Sequence, residues 1–181
     1  IYDRNMEVLA TSTGVENIFL DPLELYQNKV DIDFLAENLS KLLDVSEEYV
    51  RKQAADTGMR YKMLKRKQEQ AVCDKVRSFI SENHIVGVPL EQDSLRFYPN
   101  HETAAQLLGF TNTDNVGSEG MEAYYNSSLQ GVAGTVITTK GNHETEMLYS
   151  YEKYYQASDG DSLVSTIDLT VQRALEKQLQ D

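Results

Sequence analysis

Tryptophan is absent from these 181 residues, cysteine occurs once, and proline and histidine three times each. A single cysteine rules out an internal disulfide and any multi-cysteine metal site. Cys73 falls in a helical pattern, where a thiol acts as a small buried apolar side chain. Basic residues are also few: 17 Lys and Arg stand against 29 Asp and Glu, for a net charge of −12. That balance excludes a surface that tracks nucleic-acid phosphates and a polybasic attachment to anionic lipid, which need clustered cations. A protein or carbohydrate partner fits better. No apolar run approaches the length that crosses a bilayer, and no signal peptide is visible. The chain begins at Ile1 rather than Met and ends inside an apparent helix at Asp181, so it reads as a piece of something longer.

Forty per cent of the residues are hydrophobic, enough for one moderate core or two small ones. Residues 1 to 10 carry β-favouring side chains around the polar centre Asp3-Arg4-Asn5, the pattern of a strand broken by a turn. After Asp21-Pro22 the pattern is helical. Ile32, Leu35, Leu39 and Leu42 recur on one face. Ser46 followed by Glu47 and Glu48 starts a second helix, with an oxygen for free N–H groups and carboxylates at the positive end of the dipole, and Gly58 ends it. Val72, Val76, Phe79, Ile80 and Asn83 mark a third. Between them, the one basic run, Lys62 to Lys67, reads as a solvated helix face.

From Leu95 onward the composition changes. A short helix is expected at Ala104 to Leu108, and glycines at 109, 117, 120, 131 and 134 imply turns or close backbone approaches. Thr135 to Thr139 reads as a strand, Lys140-Gly141-Asn142 as a turn and Glu146 to Tyr151 as the returning strand. Ser158 to Asp161 is another turn, before the β-rich Leu163 to Ile167. Asp168 then caps a helix whose apolar side is Val171, Leu175 and Leu179. The expected fold class is α+β: a β-containing platform from both ends of the chain (1–20 and 95–165), a mainly helical head inserted at 21–94, and a last segment, 166–181, that opens a further domain.

Three separated blocks carry more specific information. The first is Ile1-Tyr2-Asp3-Arg4-Asn5 with Val8-Leu9-Ala10. The second is Arg96-Phe97-Tyr98-Pro99 with Ala104-Ala105 and Leu107-Leu108-Gly109. The third is Gly117-Ser118-Glu119-Gly120-Met121-Glu122, with Tyr125, Leu129, Gly131 and Gly134 behind it. In order and spacing they resemble the signature segments of the class B penicillin-binding protein pedestal, also called the dimerisation domain. A fourth block, from Asp159-Gly160 through Thr166-Ile167-Asp168 to Gln172, is similar to that family's transition into its transpeptidase domain. Met6 departs from the pattern, because the family usually has glycine after the Asp-Arg-Asn triplet.

The resemblance implies a parent with a single membrane helix upstream of Ile1, on the extracytoplasmic face of the bacterial cell membrane. Its C-terminal domain, outside this chain, would crosslink peptidoglycan, and the pedestal would meet a membrane-embedded glycan polymerase and other cell-wall synthesis proteins, with a homodimer also open. It implies no cofactor and no catalytic residue here. Elongation, division and sporulation all remain open as the parent's role.

The catalytic patterns that do occur fail on context. A transpeptidase needs a serine with a lysine one helical turn later, then Ser-x-Asn, then Lys-Thr-Gly or Lys-Ser-Gly. Ser150 with Lys153 and Ser81 with Asn83 match the first two by letter, but in the wrong order, and the third pattern is missing. His101-Glu102 and His143-Glu144 lack the second histidine of a zinc helix, where Ala105 and Met147 stand. Asp159-Gly160-Asp161 lacks the alternating ligands and distal glutamate of a calcium loop. The expected roles of the motif residues are structural. Arg4, Arg96 and Glu122 are expected to meet in one charged network, because a guanidinium can satisfy a carboxylate and carbonyls together. Tyr98 and Pro99 are expected to pack and turn the chain. Two other readings stand beside the pedestal: a free-standing extracellular protein- or glycan-binding module, and an autonomous serine hydrolase using Ser150.

Overall fold

In a computed structural model of the chain, the first three helices begin where short polar side chains take up free N–H groups. Asp21 Oδ1 accepts from Glu24 N at 3.0 Å, with Pro22 in the first turn, and opens α1 (Pro22–Gln27). Asp31 accepts from Asp33 and Phe34 N and opens α2 (Ile32–Leu43). Ser46 accepts from Tyr49 N and opens α3 (Glu47–Ala55), which ends before Gly58, at Asp56. α4 (Gln70–Glu82) buries Cys73 and Val76. The structure describes residues 1–132, 134–137 and 153–180. It divides into two compact units, one made of Ile1–Thr11 with Arg96–Asp181 and the other of Ser12–Leu95.

The second unit holds these four helices and most of a three-stranded sheet in the order β2-β1-β3, from β1 (Thr11–Leu20), β2 (Lys62–Gln68) and β3 (Leu90–Phe97), of which Thr11, Arg96 and Phe97 count with the first unit. Its core joins Ile18, Leu20, Leu25, Leu35, Leu39, Val50, Leu64 and Val76. The expected mainly helical head thus has a sheet at its centre, and residues 12–20 lie in this unit instead of with the platform segment assigned to 1–20. The basic run is also not a helix face. Ile18 pairs with Lys65, Phe19 with Met63 and Leu20 with Lys62, which makes it an antiparallel edge strand. Pairing with β1 overrides the helix propensity of Lys, Arg, Gln and Met, and cations along an edge discourage further strand addition. Lys62 lies 2.6 Å from Asp56, and Lys65 donates to the Asp44 carbonyl at 3.4 Å.

The first unit has its own small core of Ile1, Leu9, Ala10, Ala104, Leu108 and Leu169, with Tyr98, Met121, Leu129, Leu163 and Ile167 packed against it. Short helices α5 (Ala105–Leu108), α6 (Gly120–Tyr124) and α7 (Asn126–Leu129) are followed by β4 (Thr135–Ile137), β5 (Lys153–Tyr155) and α8 (Leu169–Gln180). Residues 1 to 10 form no long strand. Tyr2 bridges Val8 and Val164 singly, around a turn at Arg4 to Met6. β4 pairs with β5 in the register Thr135 to Tyr155; the expected turn at 140–142 and the whole of the expected returning strand, Glu146 to Tyr151, lie outside the described residues. Leu163 to Ile167, expected as a strand, is extended chain carrying only the Val164 bridge.

Candidate functional site

The motif residues cluster in the first unit, and at their centre is a carboxylate. Asp3 is fully buried. Its Oδ1 accepts from Asn5 N at 2.7 Å and Glu7 N at 2.9 Å, closing the turn of the first block, and its Oδ2 accepts from Leu169 N at 3.2 Å. Burial by itself would raise the carboxyl pKa. The N–H groups of Glu7, Leu169 and Asn5 and the Asn5 amide outweigh it and hold the group below its ordinary 3.8. Asn5 also lies 3.5 Å from both Asp3 and Asp168.

The second and third blocks meet through an ion pair. Arg96 Nε donates to Glu122 Oε1 at 2.7 Å, with side-chain exposures of 12% and 3%. The Tyr98 hydroxyl donates to the same oxygen at 3.4 Å. Burial first, and then the Glu122 carboxylate, push the Tyr98 phenol up, against hydrogen bonding from Thr111. Pro99 starts the turn that follows. Arg4 does not join this network. Its side chain is exposed, no ion pair reaches it among the described residues, and its contribution is a backbone N–H to the Ile167 carbonyl at 2.9 Å. The side chain next to it, Asp3, is the one turned inward, because three backbone donors converge there.

Glycines let the third block close on itself. Gly120 has φ +60°, and a Cβ there would lie 2.5 Å from the Leu107 carbonyl oxygen. At Gly117 a Cβ would overlap the Glu122 carbonyl, so this glycine brings α6 close enough for its N–H to reach Asn126 Oδ1 at 2.8 Å. Tyr125 ends α6 with its ring edge-on to Tyr124 at 4.8 Å. Gly131 precedes the Val132–Ser158 bridge, and Gly134 leads into β4.

Several contributing residues were not singled out from sequence. Asn112 Oδ1 accepts from Asp114 N at 2.9 Å and Val116 N at 3.0 Å; Asn-Thr-Asp-Asn has the composition of such a turn, so this one had a signal. Asn100, Arg173 and Glu176, which tie α8 to the second block, had none. Arg173 donates to Asn100 Oδ1 at 2.6 Å, Asn100 donates to the Val8 carbonyl at 2.8 Å, and Glu176 accepts from Ala104 N at 2.9 Å.

Chemically, this arrangement holds backbone segments together. Arg96 and Glu122 face each other and Asp3 faces backbone N–H groups, and among the described residues these contacts include no serine, lysine or histidine side chain as nucleophile or base. Among the described residues, no group of His, Cys, Asp or Glu side chains could hold a metal ion, and no helix is long and apolar enough to cross a membrane. Cys73, fully buried, has its thiol pushed up by burial and by Glu16, which suppresses the reactive thiolate. Ser150 lies outside the described residues.

Residues 1–165 match the family model of the penicillin-binding protein dimerisation domain. The chain is 29% identical over 181 residues to stage V sporulation protein D of Bacillus subtilis, covering all of this chain and 27% of that protein. It is 34% identical over 139 residues to the peptidoglycan D,D-transpeptidase FtsI of Buchnera aphidicola, covering 74% of this chain and 23% of the relative. The chain therefore spans about a quarter of these relatives' length. Among solved structures, penicillin-binding protein 2X of Streptococcus thermophilus matches with a TM-score of 0.70 at 24% identity, over 99% of this chain and 29% of that one. The penicillin-binding protein PBP2 in complex with MreC from Helicobacter pylori matches at 0.69 and 21%, over 99% and 36%. At those identities the two structures establish the shared fold.

Proposed function

The chain belongs to the penicillin-binding protein dimerisation-domain family, and from that premise we propose that it is the non-catalytic pedestal of a membrane-anchored peptidoglycan D,D-transpeptidase. In this reading a helix upstream of Ile1 anchors the parent on the extracytoplasmic face of the membrane. The chain holds the transpeptidase domain in place, with the 166–181 segment leading into it, and offers surfaces to cell-wall synthesis partners. One of the structural neighbours is a penicillin-binding protein complexed with MreC, which supports a partner from the cell-wall apparatus. A membrane-embedded glycan polymerase and a second copy of the parent are further partners of the same kind.

The observation that carries the reading is the use made of the motif charges. Asp3, Arg96 and Glu122 are turned inward and spend their polar groups on the chain itself, Asp3 joining the first block to α8 and Arg96 with Glu122 joining the second block to the third, which is the use a scaffold makes of its charges. Deleting residues 1–165 from the parent should leave covalent labelling of its catalytic serine by a fluorescent β-lactam intact, while abolishing rescue of a strain that depends on the parent. Full rescue by the deleted form would refute the pedestal role.

A further inference from the structure

α8 meets its own unit through its polar side. Val171, Leu175 and Leu179 form its apolar stripe and are 55%, 56% and 86% exposed, whereas the positions turned inward are Leu169, Gln172 and Glu176. Directed polar contacts hold the helix by that side, and they are spread along its length. At its first turn, Asp3 accepts from Leu169 N at 3.2 Å, beside Asp168, which accepts from Thr170 and Val171 N. One turn later Arg173 donates to Asn100, which itself donates to the Val8 carbonyl. Beyond that, Glu176 Oε1 accepts from Gln172 Nε2 at 2.7 Å and from Ala104 N at 2.9 Å. Ala104 meets it in a left-handed conformation, φ 56°, which a residue with a Cβ keeps only where its surroundings demand it.

We infer that these three contacts form a latch that fixes the direction of α8 on the motif blocks, with Asp3, Arg173 and Glu176 as positioning residues. Hydrophobic contact is non-directional, whereas hydrogen bonds at three successive turns resist both rotation and tilt. The inference rests on the pedestal reading and adds to it the residues through which position is transmitted.

The test uses the chain as it stands, with spin labels at Tyr124→Cys and Leu175→Cys in a Cys73→Ala background, both label sites being exposed and in the same unit. The background should give one narrow distance distribution. Arg173→Ala with Glu176→Ala should broaden it and raise amide exchange across α8 about tenfold, with exchange in α2 unchanged. Arg173→Ala alone, at an exposed position, should broaden it less. Glu176→Gln keeps an oxygen for the Ala104 N–H and should leave it narrow. An unchanged distribution and unchanged exchange in the double variant, or broadening in Glu176→Gln equal to that in Glu176→Ala, would overturn the latch. Neither membrane nor transpeptidase is needed, so failure here removes the latch and leaves the pedestal to the deletion test above.

Discussion

Met6 has φ 67°, a left-handed backbone that the family usually gives to glycine, and its side chain is 60% exposed. With a mostly exposed side chain there is little packing to lose, so Met6→Gly should stabilise the first unit by about 0.5–1 kcal/mol, read from urea unfolding midpoints. No gain, or a loss, would show that the turn is set by something other than backbone preference. Glu122 gives the opposite case. Glu122→Ala leaves the Arg96 guanidinium enclosed without its carboxylate and should cost about 3–5 kcal/mol; a change within a few tenths of a kilocalorie would mean the pair contributes nothing. Asp3 adds a pH signature. Its folded pKa lies below its ordinary 3.8, so the stability it confers is complete above that value and is lost as pH falls through the folded pKa. The Asn5 side-chain amide links Asp3 to a second carboxylate, Asp168. Unfolding midpoints taken between about pH 6 and about pH 3 should fall less steeply in Asp3→Asn than in the wild type. Equal slopes would assign the acid sensitivity elsewhere.

Among the elements, helices with side-chain caps were legible. α3 begins at Ser46 as its chemistry suggests, α2 and α4 keep their apolar stripes inward, and the Asp31 cap of α2 was not singled out. Strands were harder to see. β3 is Leu-Glu-Gln-Asp-Ser-Leu-Arg-Phe, with no β-branched residue, and β2 is mostly cationic, so their strand character comes from pairing with β1 and not from their own composition. Periodicity also cannot say which stripe is covered. α2 and α8 both show apolar residues at helical spacing, yet Leu39 is fully buried and Leu175 is 56% exposed. Leu39→Ala should therefore cost about 2–5 kcal/mol, and Leu175→Ala less than about 0.5 kcal/mol. Similar costs for the two would contradict the orientation described for α8.

At the scale of the molecule, two cores share one chain, and the motif blocks fall in the unit built from its two ends. That the three blocks belong together was readable from their order and spacing. Which charges pair was readable only in part: Arg96 and Glu122 meet, whereas Arg4 points to solvent and Asp3 takes the interior place. Residue type alone could not separate Asp3 from Arg4, since the outcome depends on the N–H of Leu169, which is remote in sequence. The central claim is that this chain is scaffold and that bond-making chemistry belongs to another part of the parent. Mass spectrometry after incubation with a labelled β-lactam tests it most directly. The parent should carry the adduct on a serine outside residues 1–181, and this chain alone should carry none; a stoichiometric adduct on this chain, at Ser150 above all, would contradict the account.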